Sequence, residues 1–298
     1  MAVGLYLLAA AIVAADPHAE NPVYTQVTGA GVSIGGKEPV RLSPPTMADG
    51  LDAKAQDKLL VEIVGQAHPL ARFMKNSAVS PHVLKQRELS GDDGRGRELS
   101  VWFVAYGDLD QFFEKDFRDH MLSSDDDPEV ASQGGALDAA QLKARNIPWN
   151  AADGEVESFA HGSMSLWKKV KVAATVHTYS SRSADSVIFA ATVDPRFTDD
   201  REFPNRWWPL TKTDAGAIET GKPNPYSGMG TYLKATRLAS PAGAILVEWR
   251  LVFAEPQGWF DGANLLGSKV PAIVQSRVRS VRRELAVGGK VKPARSLR

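Results

Sequence analysis

The chain has 298 residues, of which 43% are hydrophobic, and it carries 35 basic and 35 acidic side chains. This length and apolar content suit one large domain or two modest ones with a full core, and they exclude a chain that is disordered throughout. Balanced charge excludes a general attraction to nucleic acid. The lack of cysteine excludes disulfides, thiolate metal sites and thiol nucleophiles.

The first fifteen residues carry no charged side chain and end in Val13-Ala14-Ala15, just before Asp16-Pro17. This run is shorter than the ~20 residues of a membrane-spanning helix. It matches the apolar region of a secretory signal with small residues at the cut. We therefore predict a signal peptide over 1–15, cleaved near Ala15, and a mature chain that is exported to the periplasm or outside the cell. The alternative is a buried element of the mature fold.

Residues 16–96 are predicted to form an N-terminal extension with one amphipathic helix. The stretch 24–34 is compatible with a single strand. Apolar residues between 51 and 64 recur at helical spacing, which predicts a helix there. The stretch 73–89 is predicted as a strand pair or an extended segment, interrupted at Pro81.

The middle of the chain begins with a buried strand over 99–106. Asp108 follows and can cap a helix over 109–122, and a second short helix is predicted over 138–146. The stretch 123–135 between them is acidic, and its run of acidic residues over 125–129 lacks the alternating oxygen ligands of a calcium loop. We predict a solvated loop there, with a weak cation site as the alternative.

Apolar and polar residues alternate with a period of two over 155–254, which predicts about six antiparallel strands joined in hairpins. The last long element is a helix over 264–286, because its apolar residues form one stripe at helical spacing. Gly288-Gly289 ends that helix, and the residues 289–298 form a basic tail.

This order of one strand, two helices, an antiparallel meander and one long helix resembles the helix-grip fold of the START-like superfamily over 97–288. The resemblance implies an α+β fold in which a curved antiparallel sheet wraps on the C-terminal helix and leaves an apolar cavity between them. Residues 16–96 lie outside it and are expected to form an added lobe or an extension of the sheet.

Three short segments look like signatures of an uncharacterised family of exported bacterial proteins. That similarity implies export and no particular activity. The segments are Ala105-Tyr106-Gly107-Asp108-Leu109, Phe203-Pro204-Asn205-Arg206-Trp207 and Gly258-Trp259-Phe260-Asp261-Gly262.

Three enzyme motifs occur without the context that their chemistry needs. Residues 31–35 spell the G-x-S-x-G of a nucleophile elbow, and Gly36-Lys37 nearly completes a phosphate loop, but both motifs need a helix directly after them. Glu38-Pro39 follows instead. The stretch 165–168 matches S-x-x-K, yet it precedes a strand, whereas acylating serines of that kind begin a helix. We expect no catalytic residue from these motifs.

Six histidines are scattered along the chain without the H-x-x-x-H or H-E-x-x-H spacing of a metal site. His161 and His177 can come near each other on adjacent strands, but no third ligand is evident. We therefore expect neither a metal site nor a cofactor.

Two stretches of the chain, 203–210 and 258–262, are unusually rich in aromatic residues. Trp207 and Trp208 are adjacent in a strand, so they point to opposite faces, and one of them is expected in the core. Arg206 is expected to stack on an aromatic ring or to pair with Asp200. The second stretch, at 258–262, lies just before the long helix and is expected near one cavity entrance.

The end of the long helix and the tail are basic. Cations near a helix C-terminus are stabilised by the helix dipole, which accounts for them structurally. The alternative is contact with an anionic lipid or polymer of the cell envelope. The residues are Arg277, Arg279, Arg282, Arg283, Lys290, Lys292, Arg295 and Arg298.

The leading functional hypothesis is a non-enzymatic exported protein that holds an apolar small molecule or a lipid between sheet and helix. The alternative is a cell-envelope interaction protein with a solid core, and a hydrolase of unrecognised type is a third reading. The predicted ligand-binding residues are Arg206, Trp207, Trp208, Trp249, Trp259 and Phe260.

Overall fold

The fold was analysed in a computed structural model of the chain. The predicted signal peptide, the acidic run 125–129 and the basic tail lie outside the part of the chain that the structure describes. Within that part, no helix is long and apolar enough to cross a bilayer. The described residues are 16–36, 38–91, 94–114, 117, 130–149, 156–214, 216–262 and 265–288.

At three helix starts a side chain accepts a hydrogen bond from a free backbone N–H group. The Asp52 carboxylate accepts from the Ala55 N–H at 2.8 Å and starts the predicted helix over 51–64. Asp138 forms a capping box with Gln141 and starts the next predicted one. The α-helices of the described residues are α1 Pro22–Thr25, α2 Ala53–Val64, α3 Leu70–Phe73, α4 Ala139–Lys143 and α5 Leu265–Gly288.

The strands follow the alternating stretches of the sequence, and the long ones run for 7–13 residues. They are β1 Val83–Gly91, β2 Gly94–Tyr106, β3 Val130–Ala136, β4 Glu157–Leu166, β5 Val170–Arg182, β6 Ser186–Val193, β7 Arg206–Lys212, β8 Ile218–Thr220, β9 Asn224–Pro225, β10 Met229–Arg237 and β11 Ala244–Pro256.

All strand pairs are antiparallel, and the main path through the sheet is β1-β2-β11-β10-β6-β5-β4-β3. β7 joins at the start of β5 and carries β8 and β9. A large open antiparallel sheet with one long C-terminal helix confirms the predicted α+β, helix-grip-like fold class. Residues 16–96 extend this sheet through β1 and cover one of its faces.

The sheet has two faces with different partners, because successive side chains of a strand point in opposite directions. On the inner face lie Val101, Phe103 and Val247, and Arg282 of α5 places its guanidinium 5.4 Å from the Phe103 ring. On the outer face Trp102 and Val104 pack with α2 and with residues 46–52.

The apolar stripe of α5 packs on the inner face of the sheet. Six of its apolar side chains are buried at spacings of three or four residues, and each contributes about 1.5–3 kcal/mol of burial free energy. Two clefts border α5: one touches Val278 of this stripe, and the other lies beside Ala286. The buried stripe consists of Leu266, Val270, Val274, Val278, Val281 and Leu285.

The strand predicted over 24–34 is wrong, since this stretch is helical. α1 is continued by a π-helical turn, Gln26–Ala30. The Asn21 side chain accepts from the Tyr24 N–H at 2.9 Å, and Pro22 suits the first turn of a helix. The buried residues Val23 and Val27 are four positions apart, which is the helical period and not that of a strand.

Two other boundaries also differ from the prediction. Residues 130–136, expected within the acidic loop, form the edge strand β3 against β4. Their sequence has no alternating apolar pattern to reveal a strand, and residues 133–136 are exposed. The stretch 73–89 holds one strand, β1, after the short helix α3. The helix predicted over 109–122 begins as the 3-10 helix Leu109–Phe113, capped by Asp108 as expected.

Candidate functional site

Five aromatic side chains meet in front of α5, and we call them the aromatic cluster: Trp167, Trp207, Tyr226, Trp259 and Phe260. The Tyr226 and Trp259 rings stack at 6.0 Å with 9° between their planes. The Trp259 ring meets the rings of Trp207 and Phe260 edge-on, with ring centroids 6.1 and 5.7 Å apart. The ring centroids of Phe260 and Trp167 are 5.4 Å apart. Such contacts stabilise aromatic pairs beyond simple burial.

Four separate segments bring the aromatic cluster together. Trp207 comes from β7, where it faces inward opposite Val172 of β5. Trp259 and Phe260 come from the 3-10 helix Trp259–Gly262 that precedes α5. Trp167 lies in the β4–β5 turn, and Tyr226 directly follows β9. The structure thus joins three of the predicted ligand-binding residues, Trp207, Trp259 and Phe260.

Two indole N–H groups of the cluster are buried without a hydrogen-bond acceptor among the described residues. They are Nε1 of Trp167 and Nε1 of Trp259. An unsatisfied buried donor costs about 1–3 kcal/mol. Other indoles of this chain are satisfied: Trp102 donates to Glu248 at 2.9 Å, and Trp249 donates to Thr231 at 2.9 Å.

Backbone strain is concentrated at the same place. Trp167 has φ +48° and Phe260 has φ +58°, in the left-handed region that bulky side chains rarely adopt. Each such residue costs about 1–3 kcal/mol. Their rings touch, so strain and the unsatisfied donors share one small volume. Groups held at such a cost are typical of functional sites.

The other predicted residues lie apart from the cluster. Trp208 points to the outer face, where the Lys171 Nζ lies 5.6 Å from its ring. Trp249 lies on the inner face of β11 and is half-buried. Arg206 binds Asp199 at 2.9 Å, so the predicted pairing with Asp200 is wrong.

Arg145 explains why Asp200 is not available to Arg206. The Arg145 guanidinium donates to both carboxylate oxygens of Asp200, at 2.7 and 3.0 Å. This bidentate contact, helped by two backbone N–H groups, holds the pKa of Asp200 down to about 2. The same guanidinium lies 4.7 Å from the Phe203 ring.

The inner face also carries an open apolar row beside Trp249. The register places Phe189, Leu233 and Trp249 side by side across β6, β10 and β11. Sequence alternation predicted strands here but could not tell which side chains stay half-buried. The half-buried members of the row and its neighbours are Phe189, Met229, Trp249, Leu251 and Phe253.

Sequence reasoning missed Trp167 and Tyr226. Trp167 is in the stretch that matched S-x-x-K, and its importance comes from a turn geometry that no motif encodes. Tyr226 has no signal in the sequence beyond its aromatic character. Both join the cluster through strand pairing between β5 and β7, which is a long-range contact.

One Ser, His and Asp grouping occurs on the outer face, but its geometry does not suit catalysis. The His18 Nε2 lies 2.8 Å from the Ser186 Oγ, and Ser186 donates to Asp49 at 2.7 Å. Asp49 therefore holds the serine and binds Lys234 at 2.6 Å, whereas a triad needs the carboxylate on the histidine. Ser186 and His18 are fully buried and border neither described cavity.

The two strand histidines make separate contacts. His177 Nε2 lies 2.6 Å from the Glu157 carboxylate, with its ring stacked on Phe159 at 4.3 Å. Burial lowers the pKa of His177, against the opposing effect of Glu157. His161 contacts the Thr175 hydroxyl at 3.0 Å. Among the described residues no three acidic, histidine or cysteine side chains group as metal ligands.

Comparisons with known proteins concern the fold of the chain. Neither a protein-family model nor a curated protein matches it. Among solved structures it is similar to the human StarD13 (DLC2) lipid transfer and protein localization domain, with a TM-score of 0.39, 6% identity, and coverage of 67% of this chain and 89% of that chain.

It is also similar to human STARD10 and to CalU16 from Micromonospora echinospora. For STARD10 the TM-score is 0.36 and the identity 8%, over 82% of this chain and 85% of that chain. For CalU16 they are 0.25 and 6%, over 70% and 96%. TM-scores and identities this low carry no argument about the superfamily or the ligand of this chain, and its helix-grip-like fold rests on the sheet and the C-terminal helix themselves.

Proposed function

We propose that this chain is an exported, non-enzymatic protein that holds an apolar small molecule or a lipid at the aromatic cluster, between the sheet and the start of α5. The ligand carries at least one hydrogen-bond acceptor, such as a carbonyl or ether oxygen. The charge-free segment 1–15 supports export of the chain.

The pair of unsatisfied indole N–H groups carries this proposal. Nε1 of Trp167 and Nε1 of Trp259 are buried donors in a cluster that is otherwise apolar except for the Tyr226 hydroxyl. An acceptor on a bound molecule can form the hydrogen bonds that these two indole N–H groups lack in the free protein. A purely structural aromatic core has no such need, because phenylalanine fills it without a buried donor.

Entry of the ligand requires the cluster to open, because its two indole N–H groups are buried. The segment that opens it is the loop before α5. Gly258 has φ +94°, and the following 3-10 helix, Trp259–Gly262, holds two cluster residues. Short elements of this kind are opened at low cost compared with a strand. The half-buried row at Trp249 offers further apolar surface on the same face.

The first test is organic extraction of the purified protein followed by mass spectrometry, together with titration by the neutral fluorescent ketone prodan. We expect an apolar compound in the extract, and we expect Trp259→Phe to weaken prodan binding about 2- to 12-fold, the value of one hydrogen bond. Trp208→Phe is the control, since Trp208 points to the outer face. An empty extract together with no prodan binding rejects the proposal.

A second candidate is an envelope interaction protein with a solid core. The buried apolar stripe of α5 favours it. An exposed aromatic patch at Trp207 or Trp259 would serve such a role, but these side chains are only 7% and 5% exposed. Crosslinking in intact cells tests this candidate, and a specific crosslinked partner together with an empty organic extract selects it over ligand binding.

A further inference from the structure

A cleft of about 240 Å³ lies where residues 275–282 of α5 meet the segment 68–82 of the N-terminal extension. Five basic side chains line it, and we call it the basic cleft. No carboxylate is among its lining residues. The five are His68, Arg72, His82, Arg279 and Arg282.

Arg282 is the buried centre of the basic cleft, with 5% of its surface exposed. Its guanidinium donates to three backbone carbonyls, those of Val104 at 2.8 Å, Pro81 at 2.8 Å and Ser80. A guanidinium has five N–H donors, so two remain beyond these contacts. Burial lowers the pKa of Arg282 to about 10, which is still high enough to keep it charged.

The positive charges of the basic cleft are not neutralised by the described protein. None of Arg72, Arg279 and Arg282 forms an ion pair with a described carboxylate. Burial lowers the pKa of His82, and repulsion from Arg282, His68 and Arg279 lowers it further. Carbonyl dipoles stabilise the Arg282 guanidinium but add no negative charge. Like charges gathered in a cleft attract an anion, since the low-dielectric walls concentrate their field.

We propose that the basic cleft binds a small oxyanion of the phosphate class, as free phosphate or as a phosphorylated headgroup. The planar donor fork of arginine matches phosphate oxygens in a bidentate manner. A volume of about 240 Å³ is below the usual ~300–1,000 Å³ of drug-sized ligand sites, and it suits a small anion. The cleft is distinct from the aromatic cluster, so the two proposals stand or fall separately.

The test compares the wild type with two double variants of equal net charge. Arg72→Gln/Arg279→Gln removes two exposed members of the cleft, and Arg201→Gln/Arg237→Gln removes two exposed arginines elsewhere. Inorganic phosphate is titrated by calorimetry at constant ionic strength. We expect saturable binding to the wild type and to the control pair, and binding weaker by about tenfold or more in the cleft pair.

Two further measurements separate the source of the anion and guard against misfolding. Vesicles of phosphatidylcholine with and without phosphatidylglycerol are titrated in parallel. A response to the vesicles that contain phosphatidylglycerol, without a response to phosphate, assigns the site to a lipid headgroup. In the wild type, phosphate moves the NMR ring signals of His68 and His82 and leaves His161 and His177 in place. The proposal is overturned if neither probe binds, or if both double variants weaken binding equally.

Discussion

The two faces of the sheet differ in how their buried polar groups are paired. On the outer face, charged side chains are buried within a continuous network of partners from residues 16–52. On the inner face, aromatic and aliphatic side chains pack against α5, and two indole donors are left without partners. The outer face is arranged for stability, whereas the inner face keeps a local cost that a ligand can remove.

Glu248 illustrates the outer face. Its carboxylate is fully buried and accepts from the backbone N–H groups of Thr46 and Met47, both at 2.8 Å, and from the Trp102 indole. The Arg250 guanidinium lies 4.2 Å from the Trp102 ring. Among the described outer-face atoms, unpaired side-chain atoms are Thr236 Oγ1 and Arg250 Nε. One carboxylate therefore fastens the N-terminal extension onto the sheet.

This difference teaches where function is expected. The outer face agrees with its fold in that its buried charged groups have partners and its two unpaired atoms, Thr236 Oγ1 and Arg250 Nε, lie at residues with ordinary φ angles. The inner face departs from that agreement at Trp167, Trp259 and Phe260, through unsatisfied donors and positive φ angles. Departures of this kind persist when the surrounding structure enforces them, and they cluster at binding sites.

The largest expected effect comes from breaking the outer face at Glu248. Glu248→Ala leaves three donors and Arg250 without their carboxylate, and we expect it to lower the free energy of unfolding by about 3–5 kcal/mol. Urea unfolding followed by circular dichroism measures this. Glu98→Ala is the control, since its partner Arg87 is largely exposed, and it should cost no more than about 1 kcal/mol. Equal effects of the two changes would show that the outer network is not special.

The next prediction is that lowering the pH decreases the free energy of unfolding. Burial is the first cause that lowers the pKa of each of four histidines below the unfolded value of about 6.5. Between the folded and unfolded pKa values the unfolded chain binds more protons, so the free energy of unfolding falls as pH drops below about 6.5. The four are His18, His82, His161 and His177.

Urea midpoints at pH 7.5, 6.5 and 5.5 measure this dependence. His18→Gln removes the histidine of the outer network, where Lys234 disfavours its charge and Asp49 and Asp16 favour it. We expect the variant to show a shallower loss of stability with falling pH. A wild-type midpoint that stays constant over this range would contradict the account of these buried neutral rings.

A single hydroxyl on the outer face gives a smaller effect. The Tyr232 hydroxyl donates to the Ser43 carbonyl at 2.5 Å, and its ring meets Tyr24 edge-on at 5.4 Å. Tyr232→Phe should cost about 1–3 kcal/mol, because the carbonyl loses its donor while the packing stays. Tyr226→Phe in the aromatic cluster is the comparison, and we expect it to cost less. Thermal unfolding of both variants decides this.

The smallest effect, and the one of opposite sign, concerns strain on the inner side. The β-turn 166–169 closes through the Lys169 N–H to the Leu166 carbonyl at 2.9 Å, and Trp167 and Lys168 both have positive φ. Lys168→Gly should raise the free energy of unfolding by about 0.5–1 kcal/mol, since glycine adopts this conformation freely. Lys169→Gly, at an ordinary φ, should not stabilise. A loss of stability in Lys168→Gly would mean that the turn is unstrained.

The sequence predicted most of the fold where the apolar pattern is local. The alternation of apolar residues with a period of two indicates which face of β10 and β11 is buried, and the apolar stripe indicates which face of α5 is buried. It failed at 24–34, where a capping Asn21 and Pro22 outweighed a weak strand pattern. It also missed β3, an edge strand that buries little and so needs no apolar alternation.

The site was predictable only in part. Aromatic composition alone pointed to Trp207, Trp259 and Phe260, which the fold does bring together. The contribution of Trp167 depends on its turn, and that of Tyr226 on the pairing of β9 with β7, so neither was visible locally. The unsatisfied indoles are a property of the assembled cluster and have no sequence signal.

The indole N–H signals of the seven tryptophans test the central claim most directly. In nitrogen-15 NMR, assigned with single Trp→Phe variants, saturating prodan should move the signals of Trp167 and Trp259, because their N–H groups gain an acceptor. The Trp102 signal should stay, since that indole already donates to Glu248. If the signals of Trp167 and Trp259 do not move, or move no more than that of Trp102, the inner face does not bind a ligand through these donors.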